Sequence, residues 1–364
     1  MEGQATQLAD TRPKLDCPLR VALPVNAPER NATVAKDQFI YNNAFCPKAL
    51  AVSKKHHVAL SSTEYNDLAF LKTDGKAPIL PRTPVNMDHD ALIKTAIRDF
   101  TVLALSSKRE GNKDVEATAY ASLGVIHDNQ QNYLESITNY KSYLQLCEEI
   151  EDTIGSAAAC NCIGVNYMLM ANPPSDAGSL HGLNKTPQST EFLEKAVFYH
   201  KKHLDIGPDS GGKFVAHTNL GLCLGMLSNV NQSAKHHQDA LRVAIKMQTL
   251  YGQSIAVGNL GMLAMLKHDF STARTCYDQH LQLVQALIDP EAEIAAWKLL
   301  ASLSTAQENH EDALDSLEQA RAIAEREGHR NELRRINCLI GVCKGTTEFI
   351  KFTESGVDLA NALA

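Results

Sequence analysis

Residues 257–281 read VGNLGMLAMLKHDFSTARTCYDQHL, a stretch in which small residues recur at fixed places between large apolar ones. Gly261 directly follows the aliphatic residue Leu260, and Ala273 comes twelve residues after Gly261. Tyr277 stands four residues beyond Ala273. Two adjacent helices can approach closely only where small side chains face each other, and large residues then fill the space around the contact. The stretch therefore predicts a pair of helices that cross at Gly261 and Ala273.

The same pattern returns along the chain with a period of 40 residues. Each cycle has a small residue, here called the repeat mark, directly after an aliphatic residue, and successive marks are 40 residues apart except for one gap of 57. The marks are Gly124, Gly164, Gly221, Gly261, Ala301 and Gly341. Twelve residues after five of them stands a second small residue, namely Ser136, Ser233, Ala273, Ala313 or Thr353. So regular a period predicts stacked helical units, each of which buries its apolar face only against its neighbours.

These residues resemble the tetratricopeptide repeat family, whose units read W-x2-L-G-x2-Y followed by A-x3-F and have a period of about 34 residues. The longer period seen here is similar to the long-helix subgroup that includes Pins-type polarity adaptors and rapsyn. The resemblance implies an all-α fold, a tetratricopeptide-type solenoid built as a right-handed superhelix of helix pairs. The matching residues are Trp297, Leu300, Ala301, Ala313 and Leu317 in the fifth unit, and Leu260, Gly261, Ala273 and Tyr277 in the fourth.

The chain changes character at about residue 89. Residues 1–89 contain eight of the thirteen prolines and no sustained helical period, which predicts an extended, largely irregular N-terminal arm. Residues 90–364 are predicted to form the solenoid, which starts with a half repeat over 90–109 capped by Asp90. Six full repeats follow, for about thirteen helices in all. We expect Gly252, Gly328 and Asp289-Pro290 to lie at boundaries between repeats.

The one long gap between marks indicates an insertion in the second repeat. Residues 171–188 read ANPPSDAGSLHGLNKTPQ, and their paired prolines and glycines are typical of a surface loop. We expect this loop to separate the two helices of the repeat, with the second helix resuming over 191–206. The loop is either a tolerated insertion, because loops accept added residues at little cost, or a contact site for a partner.

Composition narrows the functional class. Hydrophobic residues make up 44% and charged residues 21% of the chain, as in soluble proteins. No run approaches the ~20 apolar residues that span a bilayer, and the N-terminus lacks the pattern of a secretory signal. The pI of about 6.1 and the excess of acidic residues disfavour nucleic-acid binding. We therefore expect a cytoplasmic protein that binds neither nucleic acid nor membrane.

The sequence contains no persuasive catalytic or metal-binding motif. Phosphate-binding loops, nucleophile elbows and H-E-x-x-H motifs do not occur, and the nine cysteines include no C-x-x-C pair. Cys160 and Cys162 lie two residues apart on a predicted helix and so do not face each other. His200 and His237 stand where aromatic or small residues pack in other repeats. We expect no metal, no cofactor and no enzymatic activity, and we expect the thiols to be buried and reduced.

The resemblance implies that the first helix of each repeat lines a concave groove. The residues one and four positions after the repeat mark would face this groove. Such a groove would be largely apolar and rich in methionine, with positive charge near its C-terminal end, and would suit an amphipathic helix or an extended apolar segment. The asparagines with which chaperone adaptors hold a peptide carboxylate do not occur at these places. Alternatively, the arm or tighter stacking of the helices covers some of these side chains. The candidate groove residues are Val125, Asp128, Val165, Met168, Leu222, Met262 and Met265, with Lys298 and Arg335 as the positive charges. The positions one and four after the mark also hold Gly225, Ser302, Thr305, Val342 and Gly345.

These observations favour a non-catalytic scaffold, and we expect a structural subunit of a large cytoskeletal assembly such as a ciliary or flagellar axoneme. The arm carries scattered apolar anchors but too few to order itself alone. Residues 1–57 hold 8 Lys+Arg against 5 Asp+Glu, which suits an acidic surface such as that of tubulin or an axonemal protein. The alternative is a soluble polarity or signalling adaptor that binds an amphipathic peptide in the groove. The proposed anchors of the arm are Phe39, Ile40, Tyr41 and Phe45.

Overall fold

The computed structural model describes residues 89–171 and 186–363, and these ranges are helices joined by short turns, without a strand. They form two compact units, residues 89–252 and 253–363. The first unit contains α1 (His89–Glu110), α2 (Lys113–Asn129), α3 (Tyr133–Glu149), α4 (Thr153–Ala171), α5 (Pro187–Asp205), α6 (Ser210–Met226) and α7 (Val230–Lys246). The second contains α8 (Leu250–Leu266), whose first turn precedes the boundary, α9 (Phe270–Ala286), α10 (Pro290–Ala306), α11 (His310–Arg326) and α12 (Arg330–Leu363).

The helices of each unit pack in chain order. In the first unit every helix contacts the next one, and α4 also contacts α6. In the second unit α9, α10, α11 and α12 contact one another in succession. Buried aliphatic residues of α2 to α6 form one continuous core, and α4 is its most apolar member. This arrangement of helix pairs confirms the predicted all-α tetratricopeptide-type fold.

The repeat marks lie where the two helices of a repeat cross. A Cβ atom added to Gly124 would lie 2.6 Å from Cε1 of Tyr140, and one added to Gly261 would lie 2.5 Å from Cε1 of Tyr277. Real Cβ atoms do not approach other atoms so closely, so glycine is required for the ring to pack. The ring four residues beyond Ala273, rather than Ala273 itself, therefore faces Gly261.

The small residue twelve positions after the mark has a second role at the crossing. Ser136 donates its hydroxyl to the carbonyl oxygen of Gly124 at 2.8 Å, and Ser233 donates to Gly221 in the same way at 2.6 Å. All four groups are buried, so these hydrogen bonds replace the water that the hydroxyl and the carbonyl would otherwise bind. The sequence period thus located the crossing correctly but not its hydrogen bond.

The turn inside a repeat combines a left-handed residue with a capping side chain. Glu308 has φ 60°, and the following Asn309 accepts a hydrogen bond from the backbone N–H of Asp312, which begins a new helix. Gln131, Ser228 and His268 take the same left-handed conformation in the other described repeats. The residue after each of them, eight positions after the mark, is Asn132, Asn229 or Asp269. Asn229 and Asp269 accept the same capping hydrogen bond, whereas the Asn132 side chain does not.

The sixth repeat lacks this turn, and its two expected helices form one. α12 runs for 34 residues from Arg330 to Leu363, so the described part of the chain has twelve helices rather than thirteen. Glu348 matches Glu308 in the repeat, but the next position holds Phe349 where the fifth repeat has Asn309. A phenylalanine side chain accepts no hydrogen bond from the helix N-terminus, so nothing favours a break and the helix continues.

Three boundaries differ from their predicted positions. α1 already includes His89, so Asp90 lies within the helix and is not its cap. Gly252 lies in the first turn of α8, where its N–H donates to Thr249 Oγ1 at 3.3 Å, and the boundary turn is instead at Gln248, with φ 54°. The insertion is flanked by α4, which extends to Ala171, and by α5, which starts at Pro187. Residues 172–185 lie outside the described residues.

The expectation that no segment reaches membrane length needs correction. In the described part of the chain, α4 has 19 residues and is long and apolar enough to cross a bilayer by length and composition. Its most apolar window is 78% buried among neighbouring helices. The apolar character of α4 is therefore explained by its place in the core of the first unit.

Candidate protein-binding surface

The groove positions of the first unit are closed. Val125, Val165 and Leu222, each directly after a repeat mark, are only 5–8% exposed. Met168, four residues after Gly164, is 1% exposed. All four belong to one apolar cluster of packed first helices. These predicted groove residues therefore contribute to the core of the unit and leave little apolar surface for a ligand.

Asp128 is the ionisable residue among the groove positions of the first unit, and it is half-buried near the end of α2. Burial raises the pKa of Asp128 to about 7, although a hydrogen bond with Asn166 works in the opposite direction. Asn166 in turn donates to Ser136 Oγ at 2.8 Å, which links Asp128 to the crossing at Gly124. The carboxyl group thus belongs to a buried polar network rather than to an open site.

The equivalent positions of the second unit are open. Met262 and Met265 on α8 are half-buried, and Ser302 and Thr305 on α10 are exposed. Val342 on α12 is 63% exposed. The first helices of this unit therefore present side chains at the positions that the first unit buries.

The two methionines are the apolar centre of this surface. They pack against a buried cluster that includes Ala264, Leu300 and Leu303. Trp297 packs against the same cluster. Both methionine side chains remain partly accessible. Methionine is unbranched and polarisable, so such a pair adapts to partner side chains of different shape.

Charged residues of α10 and α12, the next two first helices of this unit, form one ionic group. Lys298 Nζ lies 2.9 Å from one carboxylate oxygen of Glu332, and Arg335 Nη1 lies 2.9 Å from the other. Burial acts to raise the pKa of Glu332, but the hydrogen bonds and charges of Lys298 and Arg335 outweigh it and hold this pKa below its usual value. The group carries a net charge of +1, because one carboxylate neutralises only one of two cations. The candidate binding surface of the second unit comprises Met262, Met265, Lys298, Ser302, Thr305, Glu332 and Arg335.

A second feature, absent from the sequence predictions, is an aromatic cluster in the first unit. The ring of Tyr167 stacks with Phe192 and Tyr199 at centroid distances of 6.2 and 5.9 Å. Lys141 donates to the Tyr167 hydroxyl at 3.2 Å and lies over the ring, 5.7 Å from its centroid. The cluster comes from three helices, so no local motif marks it in the sequence. Its rings stabilise the packing of α3, α4 and α5.

The buried histidines have structural positions. His200 and His237 lie over Gly164 and Gly221, where a Cβ atom would come within 2.6 and 2.5 Å of the rings. His280 lies over Gly258 and donates from Nδ1 to the carbonyl oxygen of Ser254 at 2.9 Å. The interpretation of His200 and His237 as packing residues agrees with this geometry. Within the described ranges, no group of three or more His, Cys, Asp or Glu side chains is arranged to hold a metal ion.

The thiols are mostly unreactive. Six of the seven cysteines in the described part of the chain are buried, but Cys338 is exposed, contrary to expectation. Burial raises the pKa values of Cys160 and Cys223 to about 12, so both remain protonated at neutral pH. A protonated thiol is a poor nucleophile and a poor metal ligand. The proposed arm anchors Phe39, Ile40, Tyr41 and Phe45 lie outside the described residues.

Comparison with known proteins supports the repeat assignment. Residues 253–334, which include most of the open surface, match a family model described as Tetratricopeptide repeat. No curated protein sequence matches the chain. Aspartyl phosphate phosphatase F from Bacillus subtilis is 13% identical, with a TM-score of 0.55 over 86% of this chain and 85% of that one. The apo form of RapI is also 13% identical, with a TM-score of 0.54 over 85% of this chain and 84% of that one.

Likeness at this level of identity shows the fold and not the activity of either neighbour. The long-helix subgroup remains a resemblance of the repeat period alone. Helix pairs that cross at small residues, the Asx-capped turns and the matched residues 253–334 lead to one assignment. Residues 253–334 match the tetratricopeptide repeat family, and the described helices on either side share the fold of its members.

Proposed function

We propose that this protein is a non-catalytic scaffold that binds an apolar or amphipathic segment of another protein on the surface around Met262 and Met265. The observation that carries the proposal is the contrast between the two units. In the first unit the groove positions hold Val125, Val165 and Leu222, which are buried. In the second unit they hold Met262 and Met265, which are half-buried. Tetratricopeptide repeats are protein-interaction modules, and the open positions lie inside the matched residues.

The chemistry of the surface favours a particular kind of ligand. Two adaptable thioethers accept apolar side chains, and the exposed hydroxyls of Ser302 and Thr305 can meet polar groups beside them. The net positive charge of the Lys298–Glu332–Arg335 group favours acidic residues at one flank of the ligand. An amphipathic helix with apolar anchors and an acidic flank satisfies all three features.

A peptide with a free acidic C-terminus is a poorer candidate. Such a peptide needs a cation that is available for its carboxylate, but Lys298 and Arg335 both contact Glu332. Binding would have to displace Glu332 and leave its carboxylate without these partners, which costs free energy. The contacts of Glu332 are therefore a second reason, besides the absence of clamp asparagines, to expect weak binding of such a peptide.

The proposal is tested by making the surface acidic. The double variant Met262→Glu and Met265→Glu should lose the proteins that co-purify with the tagged full chain, because two carboxylates replace the apolar contact and repel an acidic flank. Helical circular dichroism should be unchanged, since both methionines are already partly exposed. Partners would be quantified by mass spectrometry of affinity-purified protein.

Leu134→Glu is the matched control, because Leu134 is apolar, 62% exposed and located on α3 of the first unit. This control should retain the partners. If the double variant also retains them all, the methionines are not the binding site.

At a finer level, we propose that the scaffold belongs to a cytoskeletal assembly in the cytoplasm, such as a ciliary or flagellar axoneme, with tubulin or an axonemal protein bound by the arm. The basic excess and the apolar anchors of residues 1–57 support this proposal. The second candidate, a soluble polarity or signalling adaptor, needs only the surface at Met262 and Met265. Retention in a detergent-insoluble axonemal fraction favours the first candidate, and a freely cytosolic protein favours the second.

A further inference from the structure

α12 exposes an apolar row along one side. Cys338, Gly341, Gly345 and Phe349 are three or four residues apart, and residues at this spacing share one face of a helix. All four are exposed, with Phe349 at 67%. The opposite side of the helix, with Ile336, Ile340 and Cys343, is buried against α11. Exposed rows of this kind usually mark interaction sites.

The other repeats show what normally covers this row. Over each of the glycine marks Gly124, Gly221 and Gly261 lies a ring of the second helix of the same repeat. A Cβ atom added to Gly341 or Gly345 would meet no atom of the described residues within 4 Å. The first half of α12 therefore has the glycines of a helix crossing without the second helix that crosses them.

The missing second helix is present in the sequence of α12 itself. Thr353 and Val357 stand twelve and sixteen residues after Gly341, the positions of Ala273 and Tyr277 relative to Gly261. Residues 353–363 contain Glu354 and Asp358 and no Lys or Arg, so their net charge is −2. Residues 330–345 contain four Lys or Arg and one Glu, so their net charge is +3. The C-terminal half of α12 thus matches its N-terminal half in register and in charge.

This C-terminal half cannot reach the row on its own chain. Phe349 replaces the capping Asn or Asp, so α12 continues as one helix and carries residues 353–363 away from Gly341. We propose that two copies of the chain exchange these halves, so that residues 353–363 of each copy cover the row at Gly341 of the other. Exchange of an identical element is a low-cost route to a symmetric dimer.

The native Cys338 allows a direct test in the full chain. In the fourth repeat, a Cβ atom on Gly258 would lie 3.5 Å from the ring of His280, and Cys338 and Ala360 are the equivalent residues of the sixth repeat. Oxidation of the Ala360→Cys variant should join its new thiol to Cys338 of the second copy and give a covalent dimer on a non-reducing gel. Cys338→Ser in the same background removes this link and is the control for the other cysteines. Light scattering of the unmodified chain should give about twice its 39.8 kDa.

Two further variants identify the exchange. Phe349→Asn restores the cap of the other repeats, so in the Ala360→Cys background the link should change from intermolecular to intramolecular. Loss of the apolar contacts of Phe349 alone would weaken the dimer but would not create an intramolecular link. Gly341→Leu should leave the monomer folded, because its side chain enters open space, but should abolish the dimer and the link.

Three results would overturn the proposal. One is a monomer at the highest soluble concentration without a link, which would mean that another protein or nothing covers the row. Another is an intramolecular link in Ala360→Cys alone, which would mean that each chain covers its own row. The third is a dimer that forms without the link between positions 338 and 360, which would mean that the copies meet elsewhere.

Discussion

Acidification from about pH 7.5 to about pH 5 should destabilise the first unit, because it buries three neutral histidines. Burial lowers the pKa values of His200 and His237 to about 3 and that of His203 to about 4, and the nearby Asp209 only partly offsets the effect on His203. Neither ring nitrogen of His200 has a hydrogen-bond partner. A proton added to the His200 ring in the folded state would therefore be a buried, unpaired charge.

The direction of the pH effect on stability follows from the number of protons that the folded and unfolded states bind. Between about pH 4 and 6.5 the unfolded chain binds protons on these histidines and the folded chain does not, so lowering the pH favours unfolding. At about pH 5 each histidine should reduce the free energy of unfolding by roughly 2 kcal/mol. Asp128 acts in the opposite direction, since its raised pKa lets the folded state keep a proton over the same range. Three histidines outweigh one carboxyl group of similar effect.

His237→Tyr isolates one of these contributions. Tyrosine occupies the same repeat position at Tyr140 and Tyr277, over a glycine in both cases, so the variant should fold and lose roughly 2 kcal/mol of the pH dependence. Urea unfolding followed by circular dichroism at both pH values measures it. His268→Asn, at an exposed left-handed turn position, is the control and should leave the dependence unchanged. An unaltered pH dependence in His237→Tyr would show that His237 is not protonated on unfolding.

Gly261→Ala should destabilise the second unit on the order of 1–3 kcal/mol, because the new methyl group overpacks the crossing. Its Cβ atom would lie 2.5 Å from Cε1 and 2.7 Å from Cδ1 of Tyr277. Tyr277 is only 2% exposed, so its ring has little room to move away. Thermal unfolding of the full chain measures the effect.

Gly258→Ala is the matched control on the same helix. Its Cβ atom would lie 3.5 Å from Nδ1 of His280, an ordinary van der Waals contact. Replacing an interior helical glycine by alanine then favours the helix by up to about 1 kcal/mol. The two variants should therefore shift the melting temperature in opposite directions, and equal shifts would mean that Gly261 does not mark the crossing.

The period of small residues was sufficient to predict the fold, because every crossing needs a residue without bulk at one place. Gly124, Gly221 and Gly261 all have this role, and the residue sixteen positions later supplies the ring. The sequence also encodes the missing turn of the sixth repeat. The signal is Phe349 at the capping position, and the small residues give no sign of it. A period counted on glycine and alanine cannot detect a missing turn, whose signal is a single polar side chain.

The binding surface was less predictable. Val125 and Met262 occupy the same repeat position, yet one is buried and the other half-buried, because exposure depends on how neighbouring helices cover the position. The positive charge expected of Lys298 and Arg335 is halved by Glu332, which lies 34 residues after Lys298 and matches no motif. Contacts between helices of different repeats set these properties, and a local pattern does not contain them.

Selection of a displayed peptide library on the full chain tests the central claim most directly, namely that the open face at Met262 and Met265 binds an amphipathic protein segment. Bound peptides would be selected on the unaltered protein and then passed over the Met262→Glu and Met265→Glu double variant. We predict sequences with apolar residues three and four apart and an acidic flank, and we predict that the double variant does not retain them while Leu134→Glu does. Peptides that bind the double variant equally well, or that require a free acidic C-terminus, would contradict the account.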